Sequence, residues 1–434
     1  MNECQTLIRA GSLITQNERR EVITDAAIAI NAGRIAAVAP WQDAPSWQAA
    51  EFLDLSDMLV MPGLINAHSH GAMTFLRGLA DDQKLMDWLQ GTVFPIEARL
   101  CAEIVHIGSL LGFAEMLATG ATGAVDMYLF EEEVLRAADI AGLRCLGGEA
   151  VFGFPSAACE DYHAALEATA ALAERYRDNE RIGVAVNPHS VYTADPQILA
   201  ACRDLALAAD LPLHIHLAET TAETAQCLKA SGQRPVALCE SLGLMQTRMI
   251  AAHLVDVTDA EIATLVRAKV TGCHNPSSNM KLASGVAPVT RMLAGGMTVG
   301  LGTDGPASNN QLNMFAEMSR AALLQKVASG DPTALPAQTV LDMATLGGAA
   351  ALGRSDLGRI MSGFQADLIA LSLDEPNMRP LYNPVSQAVY AASGHEVRLA
   401  MVAGEILYHN GSFTRFDYDG LLAESRKLRE FALS

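Results

Sequence analysis

Eight short apolar runs recur along the middle of the chain, each separated from the next by enough residues for a helix or a long loop, and this alternation constrains the fold most. They are LVMPGLIN (59–66), TGAVDMY (122–128), LRCLGGEAV (143–151), IGVAVNP (182–188), LPLHIHLAE (211–219), MIAAHL (249–254), VTGCHN (270–275) and TVGLGTD (298–304). Amphipathic stretches such as residues 161–178 and 195–210 lie between them, the second halted by Leu211-Pro212. Strands alternating with helices build a parallel sheet, and eight such strands close a barrel. The fold predicted is α/β, a (β/α)8 TIM-type barrel.

The two ends read differently. Alternating runs such as TLIRAGSLIT and AAIAINAGRIAAVA, and later EVRLAMVAGEILYHNG, have the period of β-hairpins. Residues 1–59 with 362–434 are therefore expected to form one small β-sandwich beside a barrel of residues 60–361, a division that 434 residues can support. The formal net charge of −19 argues against a nucleic-acid partner, which needs basic patches to neutralise phosphates. Eight cysteines without a C-x-x-C pair read as reduced core residues. No apolar run reaches roughly 18 residues and the N-terminus lacks a basic-then-apolar leader, so a cytoplasmic enzyme acting on a small molecule, without membrane contact, is expected.

In such barrels the chemistry collects at the C-terminal strand ends. There the sequence places His68 and His70 (MPGLINAHSH), His189, His214, His216 and Glu219 (HIHLAE), His253, His274 and Asp304 (GLGTDG). His68 and His70, two apart on a strand, point to one face. Zinc takes imidazole nitrogen and carboxylate oxygen and, where it is catalytic, keeps one position open. His68, His70, His216 and Asp304 are the ligand set this favours. His216 is preferred to His214 because Glu219, three residues on, then reaches the same cavity, while His214 is expected to point into a barrel layer and His274 to stand behind or beside the site. His106 and His163, in helical stretches, and His395 and His409, in the terminal β region, are set aside.

The motifs MPGLINAHSH, HIHLAET, AAHLVD, CHNPSSNMKLASG and GLGTDGPASNN together resemble the amidohydrolase superfamily, over nearly the whole chain. Within it they are similar to the aminohydrolase branch that includes methylthioadenosine and S-adenosylhomocysteine deaminases. The resemblance implies a distorted barrel with a terminal β-sandwich. Binuclear members carry a carboxylated lysine at the end of the fourth strand. Here that strand leads to His189, and no lysine lies between Lys84 and Lys229, which implies one Zn²⁺ per subunit, with Fe²⁺ suited to the same ligands.

For a heteroaromatic amine, attack at the amino-bearing carbon needs a proton on the ring nitrogen, and the amine leaves only when protonated. Glu219 is placed to serve the ring nitrogen, Asp304 to pass a proton to the leaving amine, and His253 to orient the nucleophile. The resemblance further matches Glu97 (FPIEAR) to an acid that holds ribose hydroxyls, His189 to a side chain that bonds the purine, and Trp88 to a lining aromatic. The competing reading of Glu97 is a helix-surface acid. Relatives that accept S-adenosylhomocysteine carry an arginine after the third strand, where Glu149 aligns. A carboxylate there would repel the amino-acid carboxylate, which favours methylthioadenosine and adenosine. The rival substrates are guanine, a pterin or an s-triazine. A homodimer or homotetramer is expected.

Overall fold

The computed structural model describes residues 2–44, 47–79, 81–83 and 85–434. The first four strands, β1 (Asn2–Ile14), β2 (Val22–Asn31), β3 (Arg34–Pro40) and β4 (Trp47–Pro62), join four from the other end: β13 (Leu368–Ser372), β14 (Val397–Val402), β15 (Glu405–His409) and β16 (Ser412–Phe413). Together they make one eight-stranded sheet in the order β16-β15-β14-β13-β4-β1-β2-β3. Alternate residues turn to opposite faces, so Ile8, Leu13, Ile28, Val60, Leu368 and Met401 form one buried layer, while Leu7, Ala27 and Ala29 join a smaller one.

Eight parallel strands form the barrel: β5 (Leu64–Ser69), β6 (Ala121–Asp126), β7 (Arg144–Gly147), β8 (Ile182–Val184), β9 (Leu213–Leu217), β10 (Met249–His253), β11 (Thr271–His274) and β12 (Val299–Leu301). They pair as two four-stranded halves. Single bridges close the seams, Val186 to Leu213 on one side and Ser69 to Asp304 on the other. The second seam matters for function, since it sets the last strand end beside the first.

Two details depart from the sequence reading. LVMPGLIN is two strands, not one: β4 ends at Pro62 and β5 begins at Leu64. Proline cannot donate to a ladder, and at Gly63 a Cβ would fall 2.1 Å from Thr122 Oγ1. The chain can therefore pass from the terminal sheet into the barrel at this point. The final helices, Tyr418–Glu424 and Arg426–Leu433, pack on the barrel helix Ala102–Ala118, with Phe431 against Phe75, while Tyr418 also reaches Phe413 of the terminal sheet. A buried ion pair joins the two layers, Arg144 Nε to Asp367 Oδ2 at 2.6 Å. Among the described residues no single helix is long and apolar enough to cross a membrane.

Candidate active site

His68 ends β5 and His70 follows it, His216 lies in β9, His253 closes β10, and Asp304 follows β12. One donor atom each from His68, His216, His253 and Asp304 lies within 4.8 Å of all the others, and all four residues are buried. His70 Nε2 approaches the same point, 3.1 Å from His216 Nε2 and 3.1 Å from Asp304 Oδ1. His253, assigned from sequence to the nucleophile, thus belongs to the donor cluster itself.

The ring atoms facing away from this point are held. His70 Nδ1 bonds the Met127 carbonyl at 2.5 Å, His216 Nδ1 the His189 carbonyl at 2.8 Å, and His253 Nδ1 the Asn279 Oδ1 at 2.9 Å. His68 Nδ1 meets His214 Nε2 at 2.9 Å, so His214 stands in the barrel layer behind a ligand. Partners of this kind orient metal ligands. Asp304 divides its two oxygens: Oδ2 accepts from Ser278 at 2.6 Å and Ser308 at 3.0 Å, while Oδ1 faces the imidazoles. Burial opposes charge on Asp304, but the facing imidazoles of His68 and His70 outweigh it and hold its carboxyl well below the usual range.

The cluster fits a metal ion. His68 Nε2 is buried and has no hydrogen-bond partner, a lone pair facing three other donors. Several nitrogens and one carboxylate oxygen converging in a buried site form a cation site. The backbones of His253 (φ 75°), Asp304 (φ 60°) and Ala218 (φ 52°) are left-handed, a conformation that costs free energy for residues with a Cβ and collects at functional sites.

The cluster floors a cavity of about 640 Å³. Trp88, Glu97, His189 and Glu219 all line it. Glu219 is held by the turn after β9: Glu223 accepts from the backbone N–H groups of Ala218 (3.0 Å) and Glu219 (2.6 Å). The Thr220-x-x-Glu223 pattern is a capping-box signature that could have drawn attention to Glu223. Burial raises the Glu219 carboxyl above its ordinary value, which favours the proton-bearing form. Glu97 is buried, not a helix-surface acid, and accepts a hydrogen bond from Tyr128 Oη at 2.6 Å. Burial lowers the pKa of His189 to about 3, so the ring is neutral.

Glu149 is the correction. Its carboxylate accepts from the backbone N–H groups of Phe130 (3.2 Å) and Glu131 (2.9 Å), capping the start of the helix Glu131–Ala141, and it does not line the cavity. Its carboxylate is turned to that helix start. His274 is likewise buried outside the cavity lining. Sequence reasoning gave no role to Tyr128, Ser278, Asn279 and Ser308, although the last three lie within the motifs CHNPSSNMKLASG and GLGTDGPASNN.

A barrel whose strand ends gather imidazoles and one aspartate around a single point, beneath a buried glutamate, defines a metal-dependent hydrolase. The chain belongs to the amidohydrolase family, whose model matches residues 59–407. It is 57% identical over 432 residues to a 5-methylthioadenosine/S-adenosylhomocysteine deaminase of Desulfovibrio desulfuricans, covering 99% of this chain and 98% of that one. Among solved structures it is similar to an adenosine deaminase from Xanthomonas campestris with bound zinc (TM-score 0.97, 38% identity, 100% and 99% of the two chains covered). It also resembles an atrazine chlorohydrolase from Arthrobacter aurescens complexed with zinc (TM-score 0.91, 25% identity, 98% and 100% covered). Family and site together make this chain a metal-dependent aminohydrolase.

Proposed function

We propose that the protein is a zinc-dependent deaminase that replaces the 6-amino group of an adenine nucleoside by oxygen and releases ammonia, acting on methylthioadenosine and adenosine in preference to S-adenosylhomocysteine. The observation that carries this reading is the placing of two buried carboxylates, Glu219 and Glu97, on one cavity with the donor cluster. One suits a ring nitrogen and the other a diol. The names of the relatives support the same chemistry.

His68, His70, His216 and Asp304 would hold one zinc ion, and the same donors suit Fe²⁺. With His189 after β8 and no lysine among the described lining residues, a single ion is the reading favoured. When bound, zinc supplies a water acidified toward neutral pH. Glu219 gives its proton to the ring nitrogen as the water oxygen bonds to C6. Asp304 takes one proton from that water and passes it to the amino group, which departs as ammonia when the C6–N bond breaks. The remaining hydroxyl proton returns to Glu219, restoring the acid as the carbonyl forms. His253 Nε2, 4.0 Å from Glu219 Oε2, orients the attacking water.

The apolar wall of Trp88, Leu89, Val93, Phe94 and Phe152 suits a short uncharged 5′ substituent, and no described lining residue is an arginine or lysine. The substrate order therefore stands on a different ground from Glu149. An ammonia-release screen of methylthioadenosine, adenosine, S-adenosylhomocysteine, guanine and an s-triazine, on protein with its zinc content measured, tests this. The expected result is one zinc per subunit and kcat/KM highest for the first two. Turnover of guanine or the triazine alone, or equal kcat/KM for S-adenosylhomocysteine, would overturn it.

Glu97 sets a pH dependence of binding. Burial pushes its carboxyl up to about 7, against the hydrogen bond from Tyr128. The ionised form accepts from two hydroxyls, so affinity for the 6-oxo product nucleoside should rise with pH through this value. Its Kd should fall by up to about tenfold between pH 6 and pH 8, as the ionised fraction grows. Calorimetric titration of Glu97→Gln should give a flat profile.

A further inference from the structure

We propose that Glu317 is a positioning residue that fixes Asp304 and His253 relative to one another, although it touches neither the cavity nor the donor cluster. It lies fully buried on the helix Met314–Ser329. Its carboxylate accepts from the Ser277 backbone N–H (3.1 Å), from Ser277 Oγ, from Asn309 Nδ2 (3.0 Å) and from Arg320 (3.3 Å).

Each of its two loop partners is next in sequence to residues that hold the site. Ser277 belongs to the six-residue helix Pro276–Lys281, which sends Ser278 to Asp304 Oδ2 at 2.6 Å and Asn279 to His253 Nδ1 at 2.9 Å. Asn309 also donates to the Thr303 carbonyl at 2.7 Å, beside Asp304, and its neighbour Ser308 donates to Asp304 Oδ2 at 3.0 Å. One carboxylate thus ties the loop after β11 to the loop after β12. From those loops come both hydroxyls that occupy Asp304 Oδ2, leaving Oδ1 toward the imidazoles, and the amide that turns His253 Nε2 toward the cluster.

Burying a carboxylate is costly unless its hydrogen bonds are complete. Here they are spent on two loops that brace His253 and Asp304, both of them left-handed at the backbone. A residue needed only to pack this helix would not have to be charged.

The inference rests on the roles given above to Asp304 and His253, so its test includes a measurement that needs no nucleoside. In Glu317→Gln, prepared with zinc, kcat for adenosine should fall about 10- to 100-fold, the range found when partners of metal ligands are removed. KM should change far less. The rate at which EDTA strips zinc from the substrate-free protein should rise over a similar range. Adding Ser278→Ala to Glu317→Gln should cost less than the product of the two single effects, because both act through one contact. A lowered Tm with wild-type kcat and wild-type zinc release would overturn the proposal. Should Glu317→Gln fail to fold, Ser277→Ala, which removes only the hydroxyl contact, should show the same pattern at smaller size, and its absence there would be equally decisive. Lack of nucleoside turnover in the wild type would count against the deaminase reading, while the zinc-release measurement would still judge Glu317.

Discussion

Glu219→Gln is expected to abolish measurable deamination while leaving zinc content and nucleoside binding near wild type. The substitution keeps the size of the side chain, and the turn that carries it is fixed by backbone donation to Glu223, so the fold should not change. What is lost is the only ionisable hydrogen on that side chain. An amide cannot protonate the ring nitrogen and cannot later take the hydroxyl proton back, so both halves of the exchange stop. General acid–base groups contribute roughly 10² to 10⁴ in rate, and the expected fall in kcat is at the upper end because one group serves twice. Steady-state ammonia release together with product-nucleoside titration would check it. A fall of less than tenfold would mean that another group supplies the proton, and His253, 4.0 Å away, would be the first to substitute.

Much of this site could be read from the sequence because a parallel barrel sends its strand ends to one place. Once eight strands were placed, histidines and acids at those ends had to converge, however far apart in the chain. His68 and Asp304 illustrate this: 236 residues separate them, yet the last seam of the barrel pairs Ser69 with Asp304. The same logic fails inside loops. Glu149 lies just after β7, where a shift of one residue reverses the direction of a side chain, and its real partners are the first N–H groups of a helix. The roles of Ser278, Asn279 and Ser308 were not legible, even within quoted motifs, for another reason. Serine and asparagine after a strand usually satisfy local turns, and only the folded chain shows that these three instead reach side chains on other strand ends. The division at Pro62-Gly63 is only half legible: a proline inside an apolar run signals a break in the ladder, but the close approach of Thr122 that makes glycine necessary belongs to tertiary structure.

The second large effect separates substrates instead of abolishing activity. In Glu97→Gln, kcat/KM for adenosine and methylthioadenosine should fall about 10²-fold or more, a loss of the size seen when a buried charged partner of a hydrogen-bonding ligand is removed. The ionised carboxylate can accept from both hydroxyls of a ribose at once, whereas the amide offers one acceptor and turns an NH2 donor toward the second hydroxyl. The Tyr128 hydroxyl, 2.6 Å from Glu97, remains to hold the amide in place, so the defect should be one of recognition and not of collapse. Free adenine, which has no diol, supplies the control: its turnover, however slow, should be the same in both proteins. Comparing the two ratios in one assay cancels differences in zinc content and active fraction. Equal losses for nucleoside and free base would place Glu97 in the chemistry or the scaffold, and the diol assignment would fall with it.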